Sequence, residues 1–306
     1  MSNIITTVEK VSDRLKIAEL PEVRSQFEKM FIATNTESDS AVALAKAEAN
    51  YLAECSYFNK LIAEKPELKD CTPVSLYNVF IEAAISGMSL NPDRGLTYVM
   101  TRNVNIGNRD APSWQKRAYL LLSPYGELAL RIKYGHIKYA DNPVLVYEGD
   151  SFRPKNDASG NFIIEYEKCI PRKSSKIIAA FIKLVRHDGS NDFKFIVVDE
   201  DIARLAKYSA KSKGQNAQAN ALYTSNEGQI DPGFLMAKLI KHAFKNYPKA
   251  PVSNIKLASD EPVAIDPMPM APIEASHTDV TGTEESPSNV VYTAEIITDK
   301  VPESFV

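Results

Sequence analysis

The chain has 306 residues, 44% of them apolar and 25% charged, which is the composition of a globular protein with length enough for a substantial core. No apolar run approaches the roughly 20 residues a bilayer span needs, and the start MSNIITTVEKVSD lacks the basic opening and long apolar stretch of a secretory leader. Cys55, Cys71 and Cys169 form no CxxC pair, which predicts free thiols in a reducing cytoplasm and argues against a disulfide framework or a zinc site.

The formal net charge of −3 hides three blocks. Residues 1–93 hold 9 Lys/Arg against 14 Asp/Glu, residues 94–256 hold 26 against 15, and residues 257–306 hold 1 against 10. A basic middle of this size points to a polyanionic partner, although lysines scattered over a solvated surface give the same sum. The expected organisation is an N-terminal helical region over 1–93, an α+β core over 94–250 and a disordered acidic tail over 251–306.

Along the first ninety residues the apolar spacing is helical. Leu44, Tyr51, Cys55, Phe58 and Ile62 make one stripe over 40–64. Thr72 can cap a second helix with Pro73 at its first position, burying Val74, Tyr77, Ile81, Ala84 and Met88, and with Gly87 near its end. From 95 the texture becomes β: GLTYVMT (95–101) and RAYLLLS (117–123) read as strands around a polar, basic loop that contains Trp114. PYGELALRIKYG (124–135) reads as a short helix, and strands follow near 144–148 and 161–167. KIIAAFIKLVR (176–186) and FKFIVV (193–198) read as a hairpin turning at Asp188-Gly189, and DEDIARLAKYS as a helix with its acids at the favourable end. Residues 210–229 are polar and read as a mobile loop; FLMAKLIKHAFKNYPK (234–249) then reads as one amphipathic helix. On it Lys238, Lys241, His242, Lys245 and Lys249 share a stripe opposite Met236, Leu239, Ile240, Ala243, Phe244 and Tyr247.

No familiar catalytic motif stands in the sequence. There is no G-x-x-x-x-G-K-[ST] loop and no H-E-x-x-H, and His136, His187, His242 and His277 are far apart in the chain. Glu165, Glu167 and Lys168 faintly suggest a metal-dependent nuclease, the alternative reading, but Tyr166 stands where such a site needs an acid, and alternating acids also suit the solvent face of a strand. The sequence implies no cofactor and is silent on Mg²⁺. Basic residues interleaved with rings recur instead at 102–117, at 125–139 and around the last helix. Cations neutralise phosphates and rings stack on unpaired bases, which suits a single strand.

The segments resemble, in order over residues 10–250, the RecT-type phage recombinases, the single-strand annealing proteins. CTPVSLYNVFIEAAISGMSLNP resembles the helix leading to that family's Gly-Leu-x-Pro turn, and RAYLLLSPYGELALRIKYGHIK its strand and helix. LVYEGDSF, AAFIKLVRHDGSNDFKFIVVDEDIARLAKYS and MAKLIKHAFKNYP resemble its next strand, its hairpin with helix, and its last helix. This chain has SPYG where the family commonly shows Gly-Tyr-Arg-Gly, so Tyr125 stands near the place of that arginine, and the landmarks of the last helix are spaced differently.

The resemblance implies an α+β core with an antiparallel-rich sheet and packed helices. It implies ATP-independent binding and annealing of single-stranded DNA by a homo-oligomeric ring or filament in a bacterial cytoplasm. A phage exonuclease and the host single-strand-binding protein are the implied partners, and the acidic tail suits protein contacts or competition for the DNA groove. Phosphate contacts are expected at Lys238, Lys241, His242 and Lys245, with Arg131 and Lys133 as a second bank. Lys116, Arg117, Lys207, Lys211 and Lys213 are further basic candidates, and Tyr125 and Trp114 are stacking candidates.

Overall fold

The computed structural model describes residues 3–34, 39–108, 111–211 and 220–248. It opens with helices α1 (Asn3–Glu9), α2 (Pro21–Thr34), α3 (Ser40–Glu64), the single turn α4 (Pro66–Lys69) and α5 (Pro73–Ser86). Local chemistry sets their ends. Asp39 accepts from the amides of Ala41 and Val42 to start α3, and Thr72 accepts from Ser75 N to start α5, with Pro73 where no amide is missed. Gly87 closes α5 at φ 66°, in the left-handed region that suits glycine.

The buried stripe of α3 runs through Ala43, Ala47, Tyr51, Phe58 and Ile62. Leu44, expected on it, is 55% exposed: one residue of phase is about 100° around a helix, and the small alanines face the neighbouring helices instead. Glu54 lies in the buried stripe and accepts from Ser89 Oγ at 2.6 Å and Leu90 N at 2.7 Å, tying α3 to the turn before the first strand. Phe27, Tyr51 and Phe58 surround Phe80 of α5 with ring centroids 4.6 to 6.1 Å apart.

Strands β1 (Thr97–Asn105) and β2 (Trp114–Leu122) pair antiparallel from Thr97↔Leu122 to Asn105↔Trp114. Both run further into the expected 102–116 loop than the sequence suggests. Their inner face carries Val99, Ala118 and Leu120 into the core of the N-terminal helices, so that core continues past residue 93. Ser123 then caps α6 (Pro124–Lys133) by accepting from Gly126 N at 2.9 Å.

Six more strands follow: β3 (Tyr139–Ala140), β4 (Val144–Tyr147), β5 (Ser151–Asn156), β6 (Phe162–Glu167), β7 (Ile177–Val185) and β8 (Asn191–Val197). β7 takes β3 and β4 along one edge and β8 along the other, while β5 and β6 form a separate hairpin; every pairing is antiparallel. The β7–β8 turn holds Gly189 at φ 82°, as Asp188-Gly189 predicts. Along β7, Ala180, Ile182 and Leu184 enter one core and Ala179 and Phe181 another, where Phe152, Tyr166 and Phe195 meet them. A π turn (Val198–Ile202) leads into α7 (Ala203–Lys211), and α8 (Pro232–Ala243) packs on β7 and α6. Within the segment expected to be a polar loop, Tyr223 is buried and meets Phe234 edge-on.

α6 starts hard against β1: a Cβ on Gly126 would lie 2.0 Å from the Leu96 carbonyl oxygen. Gly126→Ala should therefore cost about 1–3 kcal/mol, seen as a lower urea midpoint; an unchanged midpoint would show that α6 shifts freely. Glu82 of α5 is the second test, since burial pushes its carboxyl up to about 7 from 4.5. A carboxyl raised on folding costs nothing below its unfolded pKa and progressively destabilises the fold as pH rises from 4.5 through 7. Glu82→Gln should thus raise the thermal midpoint at pH 8 (about a unit above that value) and leave it unchanged near pH 4.

Candidate nucleic-acid interface

Asp231 caps α8 by accepting from Phe234 N at 2.8 Å, which fixes the helix phase that buries Leu235, Leu239, Ile240 and Ala243. That phase leaves Lys241 and His242 exposed. The helix ends at Ala243, so the expected stripe is broken there: Lys245 is exposed in the following turn and Lys249 lies outside the described residues. Tyr247 pins this turn by donating to Asp192 Oδ2 at 2.7 Å. Burial tends to raise the Asp192 pKa, but the hydrogen bonds from Lys194 and Tyr247 hold it below the usual range.

Lys238 departs from the stripe. Its Nζ lies 4.7 Å from the Phe234 ring centroid and 5.3 Å from that of Tyr223. Burial, and then the charge of Lys241, lower its pKa. An ammonium held over two rings is part of the packing of the 221–223 turn on α8.

The expected second bank is turned inward as well. Arg131 is 7% exposed, and its Nη2 and Nε stand 2.6 and 2.7 Å from Glu127 Oε1. Its Nη1 meets His136 Nδ1 at 3.1 Å and donates to the Pro248 carbonyl, and its guanidinium lies over Phe244. Lys133 donates to the Ser86 carbonyl at 3.0 Å, at the C-terminal end of α5 where the helix dipole favours a cation, and burial lowers its pKa. The last turn of α6 faces α5 and α8, which is why these two cations serve the fold.

In β1 and β2 the two-residue alternation separates neighbours that the sequence reading grouped. Trp114 and Lys116 share the inner face with Asn105 and Asn103, whereas Arg117 points out opposite Arg102. Lys116 Nζ stands 3.2 Å from Asp70, and Trp114 is 56% exposed at the loop end of the hairpin, opposite Asn105. Arg117 donates to Gln115 at 3.0 Å, and the Arg102 guanidinium sits 5.3 Å over the Tyr119 ring. Tyr98 and Met100, on the same outer face, are 52% and 42% exposed. Tyr125 is 55% exposed in the first turn of α6, just past the end of β2. Arg102, read within a basic loop, lies in β1, and Tyr98 and Tyr119, in segments read as strands, share its outer face; the alternation Tyr98-x-Met100-x-Arg102-x-Val104 is the signal that joins them.

The remaining candidates are dispersed. Lys207 is exposed on α7, Lys211 is that helix's last residue, and Lys213 lies outside the described residues. Of the acids weighed for metal chemistry, Glu165 pairs with Lys155 at 2.5 Å, and at the start of the next helix Asp201 pairs with Arg204 and accepts from Val197 N. Among the described residues no group of three or more His, Cys, Asp or Glu is placed to share a metal ion, and no helix is long and apolar enough to cross a membrane.

The described residues form a mixed helix-and-sheet fold with antiparallel pairing, exposed cations on α8, and a sheet face that carries exposed Tyr98 and Met100 beside half-buried Arg102 and Arg117. The RecT family model matches residues 58–229, more than half of the chain, and the chain belongs to the RecT family. Membership places it in DNA recombination by single-strand annealing. No curated protein matched the chain in sequence. The matched stretch includes β1, β2, α6 and α7 and stops before α8, so exposed Lys241 and His242 of α8 and Lys245 in the turn after it stand on their own geometry.

Arg131→Gln is the test of the inward bank. It leaves Glu127 and the Pro248 carbonyl without their charged partner and should destabilise the fold by about 1.5–3 kcal/mol in a denaturant titration. A fully stable variant with weakened DNA binding would restore Arg131 to the interface.

Proposed function

We propose that this protein coats single-stranded DNA and anneals complementary strands without ATP, as a homo-oligomer. It acts in a bacterial cytoplasm beside a phage exonuclease that exposes the strand and a host single-strand-binding protein that otherwise covers it. The observation that carries the reading is the RecT match over residues 58–229. Annealing is downhill, so the mechanism needs binding that neutralises phosphates and leaves base edges available. No step requires a reactive side chain, a cofactor or a bound metal.

Within this reading the phosphate contacts are Lys241 and His242 at the end of α8 and Lys245 in the turn after it, with Lys207 and Lys211 on α7, Lys213 beyond it, and Arg117 and Lys116 on β2. Tyr125 and Trp114 are the stacking candidates from the sequence. Lys238, Arg131 and Lys133 leave the list, because their cations are held by rings, carboxylates or carbonyls inside the fold. Residues 257–306, outside the described residues, supply the acidic segment that competes with DNA.

The direct test mixes two complementary oligonucleotides without ATP and follows duplex formation. The protein should accelerate it, and no acceleration would sink the reading. Divalent-metal-dependent degradation of a labelled strand would favour a nuclease instead. Lys241→Ala/Lys245→Ala should weaken binding and flatten the dependence of log affinity on log salt by about 1.4, two single-strand phosphate contacts at ~0.7 each.

A further inference from the structure

We propose that the outer face of the β1–β2 hairpin is a stacking platform for unpaired DNA bases, with Tyr98 and Tyr119 as its rings and Arg102 and Arg117 as its cations. The proposal rests on the single-strand reading above and goes beyond it by naming the surface that meets the bases.

The hairpin has two unlike faces. The inner one is closed by the N-terminal helices, where Val99 and Ala118 are buried. The outer one leaves a tyrosine and a methionine in solvent, Tyr98 at 52% and Met100 at 42% exposure. Register sets the arrangement: Tyr98 stands opposite Leu121 and Met100 opposite Tyr119, so the two rings are diagonal neighbours on one surface. Such neighbours lie ~7–8 Å apart, near enough to serve successive bases of one strand. Three residues past the end of β2, Tyr125 adds a further exposed ring, while Tyr119 is half-buried.

Charge on this face selects the partner. Arg102 stands directly opposite Arg117, and like charges in that position oppose strand pairing. None of the paired outer positions from 98 to 104 and from 115 to 121 is acidic. The two guanidiniums lean on Tyr119 and on Gln115. A face with rings, two facing arginines and no carboxylate is matched by a polyanion whose subunits are flat. Single-stranded DNA provides both, its phosphates relieving the arginine repulsion and its bases covering the rings.

The test compares the full-length chain and Tyr98→Ala on two probes of equal length, oligo(dT) and an abasic deoxyribose-phosphate oligomer. The wild type should prefer oligo(dT). Tyr98→Ala should lose about tenfold on oligo(dT), within the range for one stacked base, and nothing on the abasic probe; Tyr98→Phe, which keeps the ring, should behave as wild type. Because Tyr98 is mostly in solvent, the variant is expected to fold, and an unchanged thermal midpoint checks this. Equal loss on both probes, or no loss on either, overturns the platform. So does a changed oligomeric state by light scattering with the oligo(dT)-to-abasic ratio intact, which assigns the face to subunit contact. If the wild type binds neither probe, the single-strand reading has failed and the platform fails with it.

Discussion

A strand covered on both faces has no water to satisfy its backbone, so each of its edges must be met by another strand. β7 is that strand here, and β3, β4 and β8 supply the edges. Its sequence IIAAFIKLV keeps apolar residues at nearly every position because both sides are filled. One side receives Leu239 and Ile240 of α8, the other the aromatic cluster of the β5–β6 hairpin. The orientation of α8, and with it which of its cations meet solvent, follows from that seating.

Positive charge in this chain therefore divides into two populations. One works inside the fold, where carbonyls, rings and a carboxylate take the place of water around Arg131, Lys133 and Lys238. The other lies on surfaces that packing leaves open, at the end of α8, on α7 and across the outer face of the hairpin. Composition adds both populations together, which is why a net excess of cations overstates the area offered to a polyanion. The family match covers the hairpin face and not α8, so two independent arguments lead to two different parts of the surface.

Features encoded over a few residues were readable from the sequence. Thr72-Pro73, Gly87 and Asp188-Gly189 do in the structure what their chemistry dictates, because caps and turns depend on adjacent atoms. The phase of α3 was not readable, since Ala43 and Leu44 are both apolar and only the neighbouring helices decide between them. The end of α8 was missed for a related reason: Phe244 and Tyr247 continue the apolar pattern, but in the turn after the helix they pack on each other. β5 escaped notice because SFRPKN has little apolar alternation and takes its place by pairing with β6. For the site, the identity of the charged residues was legible and their destination was not. Arg131 is drawn inward by Glu127, His136 and Pro248, and the last of these is 117 positions away in the chain.

That same contact holds the last of the described residues against the core. With the Pro248 carbonyl held by Arg131 and Tyr247 latched to Asp192, the polypeptide departs from a fixed point beside α6 and β8. Whatever residues 249–306 bind is thereby tethered to one location on the surface. A tethered group acts at an effective concentration set by its leash, in the millimolar range for short flexible links. An acidic segment anchored there needs only weak intrinsic affinity to occupy a basic surface within reach, and only a modestly stronger ligand to be displaced from it.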